Sequence, residues 1–133
     1  MQNLSHPTRR EAVTLRARGR VGYTRPGEMN KLEADYATHL DLLTLAQYEP
    51  EDAVAKWYYE SFKLRLAGKR TWYTPDFMVI RNEGQVELHE VKGSFVRDDA
   101  AVKLKVAAST YPEFRFVLAT RPKRTWVCVV IEP

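Results

Sequence analysis

Three acidic residues and one lysine of this chain have types and spacing that could hold a cation. Asp76 sits in Tyr73-Thr74-Pro75-Asp76-Phe77, and Glu90 and Lys92 in Glu87-Leu88-His89-Glu90-Val91-Lys92-Gly93. Glu33 lies well upstream, on a helical stretch. Glu90 and Lys92 are two apart in a strand-like run, so they share a face with Val86 and Leu88. The ordinary reading of such a pair is a solvated Glu/Lys couple. The pattern speaks against it, because here the charges extend the apolar stripe instead of opposing it. Charges at the rim of a buried face cost desolvation unless they find partners. The turn signal Asn82-Glu83-Gly84 adds a second constraint. A hairpin centred on Glu83 places Asp76 directly opposite Glu90, side chains on one face. Two carboxylates side by side repel each other. A divalent cation would resolve both conflicts, and hard oxygen donors select magnesium, manganese or calcium over zinc. Zinc spacing is absent: His6, His39 and His89 are scattered and Cys128 stands alone.

The elements that must position these residues follow from periodicity. Residues 28–48 read as a helix, with Met29, Leu32, Tyr36, Leu40 and Leu43 recurring at steps of three and four. Pro50 stops it. Residues 56–66 alternate as one strand, a Gly68-Lys69 turn follows, and residues 71–81 form a second strand interrupted by Pro75. A proline inside a strand marks an edge, bulge or bend, here beside Asp76. Residues 85–92 are a third strand. Asp98 and Asp99 suit a helix N-terminus, and residues 100–111 form the helix, with Val102 and Val106 one turn apart and Pro112 at its end. Strands over 114–119 and 126–131 complete the order α-β-β-β-α-β-β. That order predicts an α/β fold of α+β type, a central mixed β-sheet flanked by helices.

The chain has 133 residues, 44% hydrophobic and 29% charged. These values suit one domain with its own core, and exclude a disordered chain, a collagen or a disulfide scaffold. The longest apolar run, near residues 126–131, is far too short to span a membrane, and no apolar stretch precedes the first charges, so a leader is not expected. One cysteine fits a reducing, cytoplasmic setting, and within an apolar run it is expected buried and inert.

Of the net charge of +4, residues 1–27 supply +5: Arg9, Arg10, Arg16, Arg18, Arg20 and Arg25 against Glu11. The organisation is therefore a basic arm over 1–27 and a domain over 28–133. Arg9 to Arg18 could form a short helix capped by Thr8. Six arginines and no lysine favour bidentate contacts to phosphate. A solvated tail is the plainer alternative to an arm that contacts nucleic acid.

Pro75-Asp76, thirteen intervening residues and Glu90-Val91-Lys92 resemble the signature of the PD-(D/E)XK nuclease superfamily. A closer similarity is to its small phage-encoded, resolvase-like endonucleases. It rests on Lys31-Leu32-Glu33-Ala34, Tyr73-Thr74-Pro75-Asp76-Phe77, Glu90-Val91-Lys92-Gly93 and the stretch from Asp98 to Lys105 with Tyr111-Pro112, and covers about residues 28–120. The resemblance implies a restriction-endonuclease-like αβββαβ core and a metal-dependent DNA endonuclease acting on branched or structured DNA. It implies Mg2+ or Mn2+ held by Asp76, Glu90 and the Val91 carbonyl. Lys92 would orient or deprotonate the attacking water, and Glu33 would hold a second cation or a water of its shell. Glu28 and Asp35 are rivals for the role of Glu33.

Lys103 and Lys105 are either solvated helix charges or contacts to the DNA backbone. Asp99 caps its helix or supports the site. Trp57, Tyr58, Tyr59, Trp72 and Tyr73 read as core or sheet packing ahead of base stacking, and His89 as structural. Resolving a junction would need a homodimer, for which Trp57 and Tyr59 are candidate contacts. A non-catalytic nucleic-acid-binding protein of the same fold would be marked by loss of Asp76, Glu90 or Lys92, all present here. An RNA-acting enzyme or a sequence-specific nicking enzyme of the same fold is the remaining alternative.

Overall fold

A computed structural model describes residues 27–45, 52–67, 71–93 and 98–133. Asn30 opens helix α1 (Lys31–Leu43) through a reciprocal cap. Its side chain accepts from the Glu33 amide at 2.8 Å, and its own amide donates to Glu33 Oε1 at 3.0 Å. The apolar stripe read from sequence faces the core: Met29, Tyr36 and Leu40 are buried, with Leu32 and Leu43 packed at the margin.

Seven strands follow: β1 (Val54–Tyr59), β2 (Leu64–Ala67), β3 (Thr71–Tyr73), β4 (Phe77–Arg81), β5 (Val86–Val91), and, beyond helix α2 (Asp98–Thr110), β6 (Arg115–Thr120) and β7 (Val127–Val130). Five of them make one mixed sheet in the order β1-β4-β5-β6-β7, in which only β5 and β6 run parallel. The parallel step needs a crossover, which α2 provides. Strands β2 and β3 form a separate two-stranded ribbon.

The sheet has a core on each face. On one, α1 covers Trp57, Phe77, Val79, Val91 and Ala119. On the other, α2 and the ribbon enclose Leu64, Leu66, Tyr73, Leu88, Leu104 and Phe116. Strand β5 is buried on both sides, as a central strand must be. Glu87 and His89 point to the α1 side, where Tyr36 Oη lies 2.6 Å from His89 Nδ1 and His89 Nε2 2.8 Å from Glu87 Oε1. A carboxylate can only accept. His89 Nε2–H therefore donates to Glu87, and Nδ1 accepts from Tyr36. Burial holds the imidazole below its usual pKa, in keeping with this neutral form. Arg81 and Arg115 complete the set, reaching the two Glu87 oxygens at 3.0 and 3.1 Å.

The coarse expectation of a mixed sheet flanked by helices agrees with this architecture. Several finer expectations need correction. The strand read over 56–66 is two strands, because Glu60 takes φ 45° and turns the chain out of the sheet. The strand read over 71–81 is also two, split at Thr74-Pro75-Asp76. On α2, Val102 and Val106 are exposed, and Leu104, Ala107 and Ala108 form the buried face. Trp57 is a core residue whose indole N–H donates to Asp41 at 3.0 Å, so it offers no surface to a second copy. Cys128 is exposed as a residue on the edge strand β7, although its sulfur lies 3.5 Å from the Tyr36 hydroxyl. No described helix is long and apolar enough to cross a membrane. The basic arm, its helix over Arg9–Arg18 and the Gly68-Lys69 turn lie outside the described residues.

Candidate active site

The hairpin between β4 and β5 sets the geometry. Gly84 adopts φ 105°, a conformation glycine reaches without steric cost, and Arg81 N donates to Gln85 O at 2.9 Å across the turn. Ile80 pairs with Val86 and Phe77 with His89. One step further along that register Asp76 stands opposite Glu90.

Pro75 is buried, and Asp76 follows it in the bend just before β4. Two backbone contacts fix Asp76. Its carbonyl accepts from the Glu60 amide at 2.9 Å, and its Oδ2 accepts from the Val91 amide at 2.8 Å. The left-handed turn at Glu60 therefore does double duty: it ends β1 and anchors the backbone at Asp76. Glu90 is held from two sides. Tyr73 Oη donates to Oε1 at 2.8 Å, and Lys92 Nζ lies 3.2 Å from Oε2. Lys92 is held in turn through its amide, which donates to Ala119 O at 2.9 Å.

The electrostatics of the pair are unbalanced. Burial and the charge of Glu90 push Asp76 up to about 8, with a smaller push from Glu33. The Val91 hydrogen bond and the Lys92 charge pull the other way without cancelling it. Burial and the neighbouring Glu90 hold the Tyr73 phenol far above its ordinary value, so it stays a donor. Glu33 stands apart from the pair. Its Oε1 accepts from Tyr59 Oη at 2.8 Å as well as from the Asn30 amide. Of its rivals, Asp35 is taken up by Arg121 at 3.0 Å and Lys31 at 3.4 Å.

Asp76 and Glu90 are hard oxygen donors of the kind that a divalent cation takes. The fit is that of a two-carboxylate site, since no three His, Cys, Asp or Glu side chains cluster for a metal ion among the described residues. Glu33 acts on Asp76 through its field only.

Lys103 and Lys105 are exposed on α2, flanking buried Leu104. No contact links them to the carboxylates among the described residues. Arg9, Arg10, Arg16, Arg18, Arg20 and Arg25 lie outside those residues. Sequence reasoning missed the roles of Tyr73 and Tyr59 as clamps on Glu90 and Glu33. The turn after β6 carries the exposed cations Lys123 and Arg124, with φ 52° and 66°. The placement of Tyr73 three residues before Asp76 was the available signal for the first. No pattern announces two successive non-glycine residues in the left-handed region.

No family model, curated protein or solved structure matches this chain.

Proposed function

We propose that this chain is a metal-dependent endonuclease that hydrolyses phosphodiester bonds in DNA, with branched or structured DNA as substrate. The observation that carries the reading is the placement of Asp76 opposite Glu90, with Lys92 on the Glu90 carboxylate, at the carboxyl end of β5. Open sheets with parallel strands bind ligands at that end. Asp76, Glu90 and the Val91 carbonyl would hold Mg2+ or Mn2+. Bound there, the cation would supply Lewis-acid neutralisation of the phosphate's non-bridging oxygens.

The chain's own groups do the rest. The Val91 amide orients Asp76 and the Tyr73 hydroxyl orients Glu90, so both carboxylates are set before substrate arrives. The Lys92 ammonium, within reach of Glu90, is placed to orient the attacking water and to offset charge growing on the phosphate. Glu33, fixed by Tyr59, adds negative potential at the edge of the site.

The test is cleavage of labelled linear duplex, single strand, flap, fork and four-way junction in Mg2+, Mn2+ or EDTA. Metal-dependent cutting that Glu90→Ala and Lys92→Ala both abolish is the expected result. Binding without cutting in every metal would overturn the enzymatic reading.

A further inference from the structure

The ribbon of β2 and β3 has two unlike faces. Its inner face, Leu64, Leu66 and Tyr73, is buried against α2 and β5. Its outer face carries Lys63, Arg65 and Trp72, all exposed. Arg65 and Trp72 are direct cross-strand partners. The Arg65 guanidinium lies 5.0 Å from the Trp72 ring centroid and the Lys63 ammonium 5.7 Å. Trp72 stays 42% exposed even with both cations beside it.

The ribbon is also anchored as a platform would need to be. Tyr111 Oη donates to the Arg65 carbonyl at 2.7 Å, and Tyr73, the residue after Trp72, donates to Glu90. The outer face is thus one residue removed along the chain from a clamp on the candidate active site.

We propose that this face binds an unpaired segment of DNA strand, with one base stacked on Trp72 and the flanking phosphates on Lys63 and Arg65. The proposal rests on the endonuclease reading above and deepens it by naming the feature of the substrate that is recognised. An aromatic platform set among cations is how proteins hold unpaired strands without reading their sequence. Charge selects the occupant: two cations and, among the described residues of β2 and β3, no acid complement a phosphate backbone. The contacts of Lys63 and Arg65 with the ring are weak at an exposed site, so a base can displace them. A paired base in a duplex keeps its faces stacked on its neighbours and cannot offer one to Trp72. The face therefore favours forks, flaps and junctions with open bases over continuous duplex.

The experiment measures affinity of the full chain, in EDTA, for a labelled duplex and for the same duplex with a short unpaired stretch. Wild type is compared with Trp72→Ala, Trp72→Phe and Lys63→Ala/Arg65→Ala, each first checked for an unchanged melting temperature. Trp72→Ala is expected to weaken binding to the unpaired DNA by about 5- to 150-fold, the worth of one stacked base, with under about twofold change on duplex. Trp72→Phe should recover part of the loss. The double variant should lower the slope of log affinity against log salt by about 1 to 2. Wild-type affinity for unpaired DNA in Trp72→Ala would overturn the proposal while leaving the endonuclease reading in place. Conversion of a dimer to a monomer by Trp72→Ala in sedimentation would also overturn it, making the face a contact between copies. Failure of the wild type to bind either DNA would overturn this proposal, and cleavage in Mg2+ or Mn2+ decides the endonuclease reading separately.

Discussion

Two glutamates on the same strand meet opposite conditions. Glu87 is only 3% exposed, yet its oxygens receive Arg81, Arg115 and the His89 N–H. Burial alone would raise its pKa, but the hydrogen bonds and charges of His89 and Arg81 outweigh burial and hold it at about 2. Glu90, three residues on, meets another carboxylate and one lysine. The same strand thus matches one acid with two arginines and a histidine and gives the other a single lysine, and the second position is where the proposed cation would bind. The depressed pKa of Glu87 fixes the sign of a pH effect. Its share of stability is complete above the unfolded value near 4.5 and is lost as pH falls toward 2. Acid unfolding followed by circular dichroism should show that loss between about pH 4.5 and 2, and Glu87→Gln should flatten the curve there. Glu87→Ala, which strands two arginines beside a buried histidine, should cost about 3–5 kcal/mol in urea titration.

At the scale of elements, the β4–β5 hairpin was legible because turn chemistry and hydrophobic alternation agree on one register. Asn82-Glu83-Gly84 centres it, and a slip of one residue would bury the wrong face. The same logic failed over residues 56–66, where alternation runs across a chain reversal. Glu60 occupies a position on the apolar stripe between Tyr58 and Phe62, and that misplaced charge was the trace of the break. Its φ of 45° cannot be read from alternation, since periodicity reports faces and not backbone handedness. On α2, two valines one turn apart do not mark the buried face, and Ala107 and Ala108 are the residues packed against the sheet. The turn at Glu60 gives an element-scale prediction. Glu60→Gly relieves the left-handed strain at the cost of a freer unfolded chain, and should change stability by no more than about 1 kcal/mol. Glu60→Val should destabilise by about 1–2 kcal/mol, and through the Glu60 amide bond to Asp76 should lower cleavage more than melting temperature alone accounts for.

Across the whole molecule, charge is unevenly placed. Residues 28–133 are near neutral, and the positive excess lies in residues 1–27. Composition made that division legible, since a count of arginines needs no fold. The candidate site was legible for the same reason as the hairpin: its acids are placed by register. Tyr73, Tyr59 and the Trp72 face were not, because an aromatic residue in a strand reads alike whether it packs, clamps a carboxylate or faces solvent. Deleting residues 1–25 is expected to weaken DNA binding at moderate salt and to reduce its salt dependence, with residual metal-dependent cutting retained. Unchanged affinity and salt slope in the truncated protein would exclude the arm from binding.

The central claim is that the Asp76–Glu90 pair takes a divalent cation, and thermal unfolding with and without Mn2+ tests it most directly. A ligand that binds only the folded state stabilises by about 2.7 kcal/mol at one hundred times its dissociation constant, a shift of several degrees for a domain of this size. That shift is expected for the wild type, and its loss in Asp76→Asn and Glu90→Gln, each compared with its own melting temperature in EDTA. No Mn2+-dependent shift in the wild type, or an equal shift in both variants, would contradict it.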